Sequence, residues 1–594
     1  MPDSLDPAIG NQQTPGEPMA ASHWSQGLLP LVLLAGVATM VGLAALWFHR
    51  NPLLTTWDEV MHLNLAMADA LQLRGDSWAA LHDALLLHNR WLPPGLRLVG
   101  FPVAAVFAGD PQSALRMLAT VLTVVTVLVV WAGLRPVAGR AGAAAGALLV
   151  AFSPQNVIGA ESYMTETVLY LAAALAMSLL LREALAPRAS LWRLGLLGPV
   201  LGLGALAKLT FLPTIGLAWA GVALWRWWQD RDAAALRLRL LLPALGLSLV
   251  AWPFYLLNVG RYVGYARKTA EGYAFVPMEE TGFAFVLRAG GMVLWEVLGL
   301  VGALLLAAAA VLAARGWRRL SRGERAFILL AVLAAVPACL GFFLSKNQTE
   351  RYLGVSVIAL AFPVGLVFGM ALREVRLATL GRGAAVMVAA AAILQLGATW
   401  LVALAGPVGG TAANPGGPGS TILARPLRPL VEASWRYNLP CDLTPVSALL
   451  PAGSGVPRLG LFGLTRTVNP NTVRNAFLRH GRDAEAIELV NDSETSIDWD
   501  RVMAETAQLD IVVLPEVFWQ HGTDPTKVPG ERNVADRSID AYRARLEAAG
   551  LVEDRGAIGN GPVAECTAHV LAVRADTTAA IAGRARPLRP EVRE

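Results

Sequence analysis

Apolar runs long enough to cross a bilayer recur along most of this 594-residue chain, and no other feature constrains its folding as strongly. A helix needs about 20 predominantly apolar residues to span the hydrocarbon core. Candidate runs lie at 27–48, 113–134, 141–157, 164–181, 194–212, 213–228, 240–258, 286–314, 326–344, 352–372 and 383–405. The expectation is therefore a polytopic α-helical membrane protein of about eleven spans. Composition agrees: hydrophobic residues make up 55% and charged residues 16%, which excludes intrinsic disorder, coiled coil and a purely soluble enzyme. The segment WLPPGLRLVGFPVAAVFAG at 91–109 starts with a Pro pair and carries Arg97, and reads as an interfacial helix. The first run follows 26 residues without Lys or Arg and lacks a small-residue cleavage site, so it is an anchor and not a signal peptide.

Basic residues set the orientation. Five clusters fall on alternate loops: Arg135 and Arg140; Arg182, Arg188 and Arg193; Arg226 to Arg239; Arg315 to Arg325; Arg373 to Arg382. The positive-inside rule puts those loops in the cytoplasm. The expected organisation is a cytoplasmic, disordered tail at 1–26, then a membrane module at 27–405 with an external loop at 49–112. A Gly/Pro-rich linker at 406–420 leads to an extracytoplasmic α/β domain at 421–594. In that domain VPRLGLFGL, DIVVLPEVF and TAHVLAVR read as buried strands. NTVRNAFLRHG, DWDRVMAETAQL and SIDAYRARLEAAG read as the helices between them. Cys441 and Cys566 both fall there, and an oxidising location makes a disulfide between them a hypothesis. The three cysteines form no CxxC motif, which argues against a cysteine zinc site. A net charge of +5 without a basic, aromatic stripe argues against nucleic acid as a partner.

Ionisable residues at the outer membrane edge carry the functional signal, because burying them is costly. TTWDEVMHL places Asp58, Glu59 and His62 just beyond the first run. Read alone, the two carboxylates are an ordinary helix start, but Asp58 and His62 are spaced to share one helix face. GAESYMTETVLYL puts Glu161 and Glu166 at the mouth of the fourth run, where Ser162 or Thr165 could close a capping box. Lys208 in GALAKLTFLP stands at an external turn, where snorkelling is the plain explanation. Arg261 and Tyr262 lie in a cationic, aromatic loop, and Lys346, Arg351 and Tyr352 stand at the mouth of another run. Carboxylates there suit a general base or a metal ligand, and the cations suit a phosphate leaving group. A transport pathway would instead gather its charges near the midplane.

The segments WDEVMHLNLA, NRWLPPGLRL, RMLATVLTVVTVLVVWAGLRPVAGRAGAAAGALLVAFSPQ, ESYMTETVLYLAAAL, GLGALAKLTFLP and ERYLGVSVIAL stand in the order seen in the GT-C membrane glycosyltransferases. Over about 27–372 the chain resembles that superfamily, and within it the bacterial relatives of protein O-mannosyltransferases and lipid A aminoarabinose transferases. The resemblance implies transfer of a sugar, with inversion, from a polyprenyl-phosphate donor to an extracytoplasmic acceptor in the cell membrane. It assigns the candidate base to Asp58 with Glu59 beside it, and the second acidic position to Glu161 or Glu166. The phosphate-facing cations map onto Lys208, Lys346 and Arg351. Leu92 stands where relatives often carry His before the paired prolines. A divalent metal could sit between Asp58 and Glu161 or Glu166, but Lys and Arg suffice for a monophosphate carrier, so no cofactor is required. The alternatives are a transporter or lipid flippase, and a non-catalytic envelope-assembly protein.

Overall fold

In the computed structural model the chain is a helical membrane body joined to a small mixed sheet. The structure describes residues 20–50, 57–74, 78–88, 92–186, 188–270, 289–291, 293–344, 350–405, 442–450, 456–463, 468–490, 496–515, 535, 538–558 and 567–574. The first helices are α1 (Ala20–Arg50), α2 (Trp57–Arg74), α3 (Trp78–Asp83), α4 (Gly95–Val106) and α5 (Pro111–Ala151). Next come α6 (Pro154–Glu161), α7 (Thr165–Leu185), α8 (Leu191–Ala207), α9 (Leu217–Asp230) and α10 (Ala233–Ala270). The membrane body closes with α11 (Gly299–Gly316), α12 (Arg322–Leu344), α13 (Gly354–Arg373) and α14 (Val375–Ala405).

Among the described residues eight helices are long and apolar enough to cross a membrane, and the protein is a multi-pass membrane protein. The count differs from the eleven runs of the sequence for local reasons. The runs at 113–134 and 141–157 lie largely within the 41 residues of α5, which is broken into two helices at Gly139 (φ 71, ψ 178) and is counted once. The runs at 194–212 and 213–228 become α8, 17 residues long, and α9, 14 residues long, with a π turn at Leu212–Gly216 between them. At a rise of about 1.5 Å per residue, neither covers a core of about 30 Å unaided. The segment at 91–109 forms the short α4.

Small residues let these helices approach closely, as membrane helices need in the absence of a hydrophobic drive between them. α13 is the innermost helix, buried along nearly all its length against α5. A Cβ on Gly142 would meet the Gly365 carbonyl at 2.7 Å, and one on Gly369 would strike the Ala138 carbonyl. Gly198 of α8 faces Gly246 of α10 in the same way.

The C-terminal domain adds α15 (Thr444–Ala448), α16 (Pro470–Leu478), α17 (Trp499–Thr506) and α18 (Ile539–Ala548). Its strands are β1 (Arg458–Leu461), β2 (Glu485–Glu488), β3 (Ile511–Pro515), β4 (Val552–Ile558) and β5 (Ala568–Val573). They run in the order β2-β1-β3-β5-β4, with β1 parallel to both neighbours and β5 antiparallel to β3 and β4. α16 and α17 are the crossovers of the parallel half, as such strands require. Cys441 and Cys566 lie outside the described residues.

Candidate active site

Four segments far apart in sequence bring charge to one end of the helical body. α2 contributes Asp58 and His62 from its first turns. α7 begins with Glu166, Lys208 follows the last residue of α8, and the 3₁₀ turn Glu350–Leu353 before α13 contributes Arg351 and Tyr352. Asp58 Oδ2 stands 2.9 Å from Arg351 Nη2, and Arg351 Nε is 3.7 Å from Glu166 Oε1. Lys208 Nζ donates to Glu166 Oε1 at 2.9 Å and lies 4.2 Å from the centre of the Tyr352 ring. Thr165 donates its hydroxyl to the other Glu166 oxygen at 3.1 Å. Glu166 thus lies between two cations, nearly buried, whereas 45% of the Asp58 side chain is open to solvent.

α7 has Met164 as its N-cap residue and no side-chain cap, so the capping box expected from Ser162 or Thr165 is not made. The Thr165 hydroxyl serves Glu166 instead. The Tyr170 hydroxyl, one turn further along, donates to the Arg351 carbonyl at 2.9 Å and ties the arginine's backbone to α7.

His62 is buried, and its Nδ1 has no hydrogen-bond partner among the described residues. Desolvation pushes its pKa down to about 4 against the opposing pull of Asp58 and Glu166; Arg351 and Lys208 push the same way as burial. The imidazole is therefore neutral near pH 7.

Glu59 takes a different place from its neighbour. Its carboxylate accepts from the Tyr163 amide at 3.1 Å and faces Arg116 Nε at 3.8 Å. Consecutive helix residues diverge by about 100°, so Asp58 and Glu59 enter separate surroundings. Glu161, at the end of α6, is buried within electrostatic reach of Arg116. The structure thus gathers Asp58, His62, Glu166, Lys208, Arg351 and Tyr352 into one cluster, and Glu59 and Glu161 into another around Arg116. Arg261 lies exposed on α10. Tyr262 packs edge-on against Tyr255, whose hydroxyl reaches the Ala205 carbonyl at 2.6 Å, three positions before Lys208. Lys346 lies outside the described residues. No group of three or more His, Cys, Asp or Glu side chains among the described residues is placed to hold a metal ion.

Two contributors escaped the sequence reading. Arg116 sits inside the apolar stretch of α5, with its guanidinium 4.4 Å from the Phe48 ring, and a single charge within such a run was its only signal. Arg97 pairs in two-pronged fashion with Asp69 of α2 at 2.7 and 2.6 Å and donates to the Ala84 carbonyl at 2.8 Å. Both partners are buried, and they lock α4 against the helix that carries Asp58.

Residues 93–254 match the family of dolichyl-phosphate-mannose-protein mannosyltransferases. No curated protein matches the chain by sequence. Among solved structures, ArnT from Cupriavidus metallidurans in the apo state is similar at 16% identity and a TM-score of 0.52, over 94% of this chain and 99% of that one. The same protein bound to undecaprenyl phosphate gives 15% identity and a TM-score of 0.53, over 93% and 99% of the two chains. Over 94% of its length, the chain therefore shares the fold of that protein.

Proposed function

We propose that the protein is a glycosyltransferase that moves a sugar from a polyprenyl-phosphate carrier to the hydroxyl of an extracytoplasmic acceptor. The observation that carries this reading is the joint placement of a half-exposed carboxylate, Asp58, beside two cations, Lys208 and Arg351, that share Glu166. The mannosyltransferase match over residues 93–254 supports it, as does the fold shared with a protein that binds undecaprenyl phosphate.

The reaction is a single displacement. The acceptor oxygen attacks the anomeric carbon while Asp58 takes the hydroxyl proton. The bond between that carbon and the phosphate oxygen breaks, and its electron pair leaves with the carrier phosphate. Lys208 and Arg351 meet the charge that develops on the phosphate, an interaction stronger in the transition state than in the ground state. Arg351 holds Asp58 in the resting protein, so an incoming phosphate competes for the guanidinium and releases the base as the donor seats. His62 offers its unpaired Nδ1 to the acceptor. The two cations neutralise a monophosphate without a divalent ion. By the positive-inside rule the arginine-rich clusters lie in the cytoplasm, and this reading puts the transfer site on the opposite side of the membrane.

Incubating the purified protein with a panel of polyprenyl-phosphate sugars and scoring free polyprenyl phosphate tests the reading. Carrier release that needs an acceptor and disappears in Asp58→Asn is expected. A protein that releases carrier from no member of the panel is not a transferase of this class.

A further inference from the structure

The side-chain amide of Asn64 bonds the helix that carries Asp58 to the C-terminal domain. Asn64 Nδ2 donates to the Asn471 carbonyl at 2.7 Å, and Asn475 Nδ2 donates to Asn64 Oδ1 at 2.9 Å. Asn64 and Asn475 are both buried, so either bond, once lost, leaves a polar group stranded. The two partners are four residues apart, one turn of α16. Leu478, another turn along the same face, is buried in the apolar cluster of the membrane body together with Val60, Leu63 and Met67 of α2. The opposite face of α16, with Val473, Ala476 and Phe477, belongs to the core of the sheet domain. α16 is therefore shared between the two cores, and its start is fixed by a capping box between Asn469 and Thr472.

On α2, Asn64 points about 120° away from Asp58. The face toward Arg351 and the face toward α16 are thus different sides of one helix, and α2 is gripped between them.

We propose that Asn64 and Asn475 clamp α2 to the C-terminal domain, making Asn475 a positioning residue that sets Asp58 and His62 against the cations. The catalytic part of this inference rests on the transferase reading above. The C-terminal domain is then part of the scaffold of the site and not an appended binding module.

The test uses the full chain in nanodiscs as wild type, Asn64→Ala, Asn475→Ala and the double variant. Hydrogen exchange of peptides covering 57–70 should speed up about tenfold in each single variant, with β1 and β3 unchanged. Turnover should fall about tenfold in kcat while the donor KM stays within about twofold, and the double variant should be no slower than Asn64→Ala, because that single change already removes both bonds. Exchange at 57–70 equal to wild type in both single variants overturns the clamp. Faster exchange with unaltered kcat, or with the loss confined to KM, overturns the positioning role. If the wild type transfers no sugar, the function proposed above fails, and the exchange data still decide whether α16 holds α2.

Discussion

Arg351 closes an ion pair on Asp58 at 2.9 Å and reaches Glu166 at 3.7 Å, so one guanidinium joins the first turn of α2 to the head of α7. The pairing makes Asp58 available only when something else takes the arginine. Asp58→Asn should lower kcat by about 10²–10⁴-fold, the usual contribution of a general base, with little change in donor KM. Arg351→Ala should instead raise donor KM and also lower kcat, since in the proposed reaction it meets the phosphate in both states. Steady-state kinetics with varied donor separates the two. An Asp58→Asn enzyme with near-normal kcat removes that residue from the chemistry.

Glu166 has a structural as well as an electrostatic duty. Glu166→Gln removes a buried charge from between Lys208 and Arg351 and leaves an ammonium and a guanidinium without the anion they share. Breaking one side of a buried pair costs about 3–5 kcal/mol. The partial exposure of both cations puts the expected loss at the low end, near 3 kcal/mol. A clear drop in the thermal unfolding midpoint of detergent-purified protein is expected, and an unchanged midpoint would contradict it.

The buried imidazole gives stability a pH dependence of definite sign. In the unfolded chain His62 takes up its proton at about 6.5, and in the folded protein only near 4. Between those values the unfolded state holds the extra proton, so stability falls as pH drops from 6.5 to 4 and levels off below. The contribution is complete above 6.5 and is roughly 3 kcal/mol. His62→Gln should flatten this part of the curve. Unfolding midpoints of the two proteins measured across pH 4–7 check it, and parallel curves would refute it.

Helix contacts in the membrane body predict a steric result. Gly369→Ala forces a methyl group onto the Ala138 carbonyl of α5, whereas Gly383→Ala on α14 meets nothing within 4 Å. Overpacking of this kind typically costs about 1–3 kcal/mol. Expression and thermal stability should fall for Gly369→Ala and hold for Gly383→Ala.

The membrane helices were legible because a span needs a long apolar run, which no other short-range pattern imitates. Asp58, Glu166, Lys208 and Arg351 were visible as ionisable groups at the ends of such runs. Their partners were not, since Arg351 finds Asp58 across nearly 300 positions and no spacing encodes that. Adjacency misled in one case: Asp58 and Glu59 look like a pair in the sequence, but the helix turns them into different clusters. In the C-terminal domain β1, β3 and β5 were readable from their apolar residues. β2 and β4 were not, because both lie at edges of the sheet, and the five middle residues of β4 face solvent. An edge strand with one open side carries the polar residues that make it look like a loop.

α7 is pinned at both ends. Near its head Glu166 is held by Lys208 and Arg351, and one turn from its foot Glu183 meets Arg193 at 3.2 Å and Arg239 at 3.1 Å. The two carboxylates are about 26 Å apart along the axis, so the helix is a strut with a bolt at each end. Such a strut does not slide past the neighbouring segments that supply Lys208, Arg193 and Arg239. In the proposed reaction the carrier phosphate therefore meets a seat that is fixed within the protein frame, and the lipid is the partner that adjusts.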